Sequence, residues 1–170
     1  MRTREKSRSF PLLFLLAGLV IIADQLSKWL IMSRFGLHEI KTVVPGFFNL
    51  TYLHNRGAAF GLLANADPAW QPYFFILIAS GALVFICFAF RQFRHRSALY
   101  LYAFGLIAGG AAGNLIDRVR YGSVVDFLDF YVADYHWPAF NVADSAIVVG
   151  VGIFLLASLL DREEGVPKVR

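Results

Sequence analysis

The chain has 170 residues, 58% of them hydrophobic, with a mean hydropathy of +0.57. Soluble domains are roughly 45–50% apolar, and here the excess lies in long blocks, which predicts one integral membrane domain over residues 1–170. The net charge of +4 comes from basic residues outside those blocks, so it bears on membrane topology and not on nucleic acid, and a single cysteine excludes an intrachain disulfide or a cysteine metal cluster.

A basic segment holding Arg2, Arg4, Lys6 and Arg8 precedes the first apolar block, 10–31. At about 1.5 Å per residue this block spans ~30 Å of hydrocarbon. Basic residues followed by an apolar run also mark a cleavable signal peptide, but the block is too long for one and three more spans follow. Asp24 and Lys28 stand four apart and share a helical face. They form either a neutralising pair near the helix end or a polar interior lining, and intramembrane charges favour the second.

The outer loop 34–71 alternates apolar and turn residues around Pro45, Gly46 and Asn49, which predicts short strands. HNRGAAFGLL, from His54 to Leu63, brings Asn55 and Gly57. Its small residues suit either a surface hairpin or a strand edge that receives an extended peptide. Ala66 to Pro72 reads as a loop with Trp70 at the membrane interface. The second span, 73–90, ends at a basic run, Arg91 to Arg96. The third, 98–116, carries a small-residue face through Gly105, Gly109, Gly110 and Gly113, suited to close helix packing. A second outer loop, 117–141, leads to the fourth span, 142–160. The fold class is therefore an all-α polytopic membrane protein with four transmembrane helices and a small extracytoplasmic β-element between helices 1 and 2. Ten of the sixteen basic residues lie in the two termini and the 91–96 loop, all on one side of a four-span chain. The positive-inside rule places that side in the cytoplasm and both long loops outside.

Nucleophilic chemistry finds little support. Ser145 has no histidine or lysine placed to activate it, the four histidines are scattered, and no HExxH spacing or phosphate-binding loop occurs. No metal and no cofactor is expected. Carboxylates remain, and Gly109 to Ala146 holds five of the twelve acidic residues. Asp126 lies between Val124-Val125 and Phe127-Leu128, and Asp144 heads an apolar run. A carboxylate in such company is costly unless it is paired or solvated. Two aspartates close enough to share a proton can divide acid and base roles in peptide hydrolysis. Spacing alone does not select this pair over structural or ion-relay uses. Asp117 reads most simply as the partner of Arg118, and Asp129 and Asp134 as solvated loop charges. A proton-coupled transporter using Asp24, Lys28 and the outer aspartates, or a non-enzymatic scaffold, stays open at this point.

Five blocks narrow the choice: DQLSK (Asp24 to Lys28), HNRGAAF (His54 to Phe60), GNLIDR (Gly113 to Arg118), GSVVDF (Gly122 to Phe127) and PAFNVADS (Pro138 to Ser145). In this order, across four spans, they resemble the lipoprotein signal peptidase family, also called signal peptidase II, aspartyl peptidases of the bacterial cytoplasmic membrane. The resemblance implies catalytic roles for Asp126 and Asp144, and supporting or substrate-binding roles for Asp24, Lys28, Asn55, Gly57, Asn114, Arg118 and Asn141. Asn114 and Asn141 are expected to orient the pair or to hold the substrate backbone by hydrogen bonds, and Arg118 to anchor the loop or pair with Asp117. It further implies a diacylglyceryl-modified prolipoprotein as substrate, cut just before the lipidated cysteine. Membrane lipids are the other expected partner, nucleic acid is not one, and the protein is expected to act as a monomer.

Overall fold

A computed structural model describes residues 2–57, 63, 66–67 and 69–164, with side-chain surroundings from residue 10 to 161. Four long helices carry the chain: α1 (Arg2–Arg34), α2 (Gln71–Phe93), α3 (Ala98–Tyr121) and α4 (Val142–Glu164). Each is long and apolar enough to cross a membrane, by length and composition. Large side chains such as Leu19, Trp29, Phe85, Val148 and Leu155 point outward and stay exposed. A belt of this kind suits a lipid solvent.

The helices run past the predicted spans for local reasons. α2 starts at Gln71 with Pro72 in its first turn, where a proline's missing N–H costs nothing. α3 continues beyond Ile116 to Tyr121, so Asp117 and Arg118 are helical and do not belong to the outer loop. It stops at Gly122, whose φ of 68° is the left-handed conformation that a helix C-cap favours. Ser97 caps the other end by accepting the Leu99 N–H.

α3 is the central helix, packed against each of the others. Its glycine face makes that possible. A Cβ at Gly113 would lie 2.7 Å from Asp24 Oδ2 and 3.3 Å from Ala143 Cβ, so α1 and α4 both close on this point. Near the 94–97 turn, Phe90, Tyr100, Phe104 and Ala157 form a buried core, and the Tyr100 hydroxyl donates to Asp161.

The expected strands occur, but they belong to a larger sheet. β1 (Ile40–Val44) and β2 (Phe48–Asn55) come from the segment between α1 and α2, β3 (Val124–Val132) and β4 (Tyr135–His136) from that between α3 and α4. Their order is β1-β2-β3-β4, antiparallel throughout. β2 is thus an inner strand: β3 pairs along it and β1 covers the other side as far as Tyr52. Only its Leu53–Asn55 end can offer an edge among the described residues. A bulge between Leu50 and Leu53 brings Leu53 opposite Asp126. Of the HNRGAAFGLL segment, residues 58–62 lie outside the described residues.

Candidate active site

Asp126 reaches the site from β3 and Asp144 from the first turn of α4. The local reason at α4 is written in N-V-A-D. Asn141 Oδ1 accepts the Asp144 N–H at 2.9 Å, and Asp144 Oδ2 accepts the Asn141 N–H at 3.2 Å, a reciprocal capping box. That leaves the Asn141 amide free, and its Nδ2 donates to Asp126 Oδ1 at 2.8 Å, Asn114 Oδ1 at 3.2 Å and the Val125 carbonyl at 3.2 Å. Asn114 Nδ2 in turn donates to Asp144 Oδ1 at 2.7 Å. The other oxygen of Asp126 accepts from Asn55 Nδ2 at 3.0 Å. Among the described residues, each of the four carboxylate oxygens therefore accepts one hydrogen bond. The carboxylates are linked through the touching amides of Asn114 and Asn141, and among the described residues no hydrogen bond joins them directly.

Both acids line a cleft of about 870 Å³ together with Asn55, Gly57, Asn114 and Arg118. Asp126 is 3% exposed. Burial and then the neighbouring Asp144 charge push its carboxyl from 3.8 up to about 7, against the opposing hydrogen bonds from Asn55 and Asn141 and the charge of Lys28. A group that titrates near neutrality can give or take a proton at little cost. At the cleft edge, His54 bridges the Tyr52 hydroxyl (2.8 Å) and the Ser123 hydroxyl (2.7 Å), and burial lowers its pKa, which keeps the ring neutral at pH 7.

Two sequence readings need correction. Asp117 does not pair with Arg118. It lies 2.7 Å from Lys28 Nζ, which is also 2.8 Å from Asp24 and 3.1 Å from Asn114 Oδ1. Asn114 and Asp117 sit three apart and so share the face of α3 turned to α1, a spacing that could have revealed the pairing. Gln25, which the sequence gives no signal for, donates to Asp117 Oδ1 at 2.9 Å and Asp24 Oδ2 at 3.2 Å. Arg118 instead anchors the chain after β2: its Nη2 donates to the Gly57 carbonyl at 3.3 Å and its guanidinium lies 5.0 Å from the Phe75 ring centroid. Asp129 is no solvated loop charge either. It is buried, accepts from Asn49 at 2.9 Å and lies 2.8 Å from His136 Nδ1, tying β2, β3 and β4 together. Asp134 is exposed, as read. The transporter alternative loses its relay, since Asp24 and Lys28 are held in a closed set of contacts.

A family model described as Signal peptidase (SPase) II matches residues 16–160. A lipoprotein signal peptidase of Syntrophotalea carbinolica is 54% identical over 156 residues, 92% of this chain and 96% of its own length. That of Syntrophus aciditrophicus is 44% identical over 154 residues, covering 90% and 95%. Among solved structures, a bacterial membrane enzyme determined by the in meso method at 2.3 Å resolution superposes with a TM-score of 0.75 at 34% identity, covering 93% of each chain.

Proposed function

The chain belongs to the signal peptidase II family, peptidases of bacterial membranes that remove signal peptides from prolipoproteins, and from that premise we propose that Asp126 and Asp144 carry the hydrolysis. The observation that supports this most is that two carboxylates on separate elements open into one cleft, each held by its own asparagine amide.

One carboxylate takes a proton from a water molecule as its oxygen attacks the scissile carbonyl carbon. The other, protonated, donates a hydrogen bond to the carbonyl oxygen, which becomes a hydroxyl in the tetrahedral intermediate. When that intermediate collapses, the C–N bond breaks, the leaving amine takes up the proton that the first carboxylate took from water, and a hydroxyl of the intermediate returns its proton to the second carboxylate. Asn55, Asn114 and Asn141 fix the carboxyl planes, so little reorganisation accompanies the charge movement. Arg118 and Gly57 shape the cleft wall, and the Leu53–Asn55 end of β2 offers main-chain partners to an extended cleavage site.

The substrate is a precursor whose cysteine carries a diacylglyceryl group, cut just before that cysteine. Its acyl chains remain in lipid while the peptide bond reaches the cleft. The protein acts as a monomer, a single membrane domain with both termini cytoplasmic and the site at the outer face, in keeping with its basic segments. The experiment is cleavage of a diacylglyceryl precursor in detergent or vesicles, with unlipidated precursor as control. Asp126→Asn and Asp144→Asn are each expected to insert normally and leave the precursor uncut. Cleavage by either variant at the wild-type rate removes that residue from the mechanism.

A further inference from the structure

Directly behind the two reacting aspartates lie three charges sealed from solvent. The side chains of Asp24, Lys28 and Asp117 are 0%, 1% and 1% exposed. The ammonium of Lys28 has three donors and meets three acceptors: Asp24 Oδ2 at 2.8 Å, Asp117 Oδ2 at 2.7 Å and Asn114 Oδ1 at 3.1 Å. Burying such a set is a poor way to gain stability, because apolar residues of similar volume commonly do as well or better. Its remaining contacts show another use. Asp24 Oδ1 accepts the backbone N–H of Ala143 at 2.9 Å, and Asp117 Oδ2 accepts that of Val125 at 3.1 Å. Ala143 immediately precedes Asp144, and Val125 immediately precedes Asp126.

Resting on the assignment of Asp126 and Asp144 as the reacting pair, we propose that Asp24, Lys28 and Asp117 form a spacing clamp: one ammonium drawn between two carboxylates, each holding the peptide N–H just ahead of a reacting aspartate, sets the separation of the two reacting carboxyls. The third Lys28 contact completes it. With Lys28 and Asn141 both donating to Asn114 Oδ1, the amide can present only Nδ2 to Asp144. Gln25 Nε2 bridges the two clamp carboxylates, donating to Asp117 Oδ1 and to Asp24 Oδ2, the oxygen that also meets Lys28. These are positioning residues. They reach the reaction through backbone and amide, and a displacement of about 1 Å at a reacting group is enough to lower the rate about 10²-fold.

The clamp carries a formal charge of −1, and this separates its role from simple packing. The charges acting on Asp126 are Asp144 from α4, Lys28 from α1 and Arg118 from α3; Asp24 and Asp117 stand against Lys28, and His38 and neutral His54 line the cleft. Lys28→Met makes the clamp charge −2, so the acid limb of the kcat/KM profile moves to higher pH. Asp117→Asn makes it 0, and the limb moves to lower pH. The double variant restores −1 without the ammonium: the limb returns towards wild type while kcat stays low. In each variant, kcat per folded molecule is expected to fall at least tenfold with KM within twofold. Folded enzyme is counted by gel filtration and thermal unfolding in detergent. Wild-type kcat and an unmoved limb in folded Lys28→Met overturn the clamp. If Lys28→Met does not fold, the same result in Asp117→Asn overturns it. Parallel assays of Asp126→Asn and Asp144→Asn distinguish this failure from that of the parent reading: those two stay inactive if only the clamp is wrong.

Discussion

Replacing Asp126 by asparagine should stabilise the protein while abolishing cleavage, and the gain should depend on pH in a set way. The Asp126 carboxyl is buried on β3 and is pushed from 3.8 up to about 7. A carboxyl whose folded pKa is raised binds its proton more tightly in the native state. Its contribution is full below about 3.8 and is lost as pH rises through about 7. At about 1.4 kcal/mol per pH unit, the loss amounts to about 4 kcal/mol once both states are ionised. Asparagine is close in shape to the protonated acid and does not titrate. One of its faces must meet an amide donor, Asn55 or Asn141, which costs roughly 1–3 kcal/mol, but that offset does not vary with pH. The slope is therefore the diagnostic quantity. Between pH 5 and pH 8 the stability of Asp126→Asn relative to wild type should grow by about 3 kcal/mol. At roughly 2–4 °C per kcal/mol for a chain of this size, the difference in Tm should widen by about 6–12 °C. The assay is thermal unfolding of both proteins in the same detergent across that range. A Tm difference that stays flat from pH 5 to pH 8, or shrinks, refutes the buried, proton-holding Asp126.

Further outcomes follow from single contacts. Asn141→Ala removes the α4 cap, worth about 1 kcal/mol, and a charge-assisted bond to Asp126, worth roughly 1.5–3 kcal/mol; thermal unfolding should show both losses and cleavage should slow at least tenfold. Gly113→Ala forces a Cβ against Asp24 and Ala143, so it should destabilise by roughly 1–3 kcal/mol, whereas Gly18→Ala, with nothing within 4 Å, should be neutral or slightly stabilising in the same measurement. Arg118→Met loses the Gly57 carbonyl bond and the stack on Phe75; steady-state kinetics should show KM rising about fivefold, the equivalent of roughly 1 kcal/mol, with a smaller change in kcat.

The reach of the sequence differs from element to element. Four apolar blocks and the glycine run of α3 are local features, and a bilayer demands hydrogen-bonded helices of that length, so both were readable one segment at a time. The N-V-A-D capping box is equally local, although only the structure shows that its asparagine also serves Asp126. Adjacency in the chain suggests Arg118 as the partner of Asp117, yet adjacent helical residues point apart. Its true partner, Lys28, comes from another helix.

Composition and period alone determined that this chain builds four membrane-length helices with two long connecting segments, because helix length and apolar content follow from residues a few positions apart. Tertiary structure decided that both connecting segments share one sheet, that Asp129 is buried between strands, and that Asn55 meets Asp126 across 71 positions and Asp24 meets Ala143 across 119. The last of these depends on how closely α1 and α4 approach the glycine face of α3, and the others on strand pairing between distant segments, neither of which any window of sequence contains.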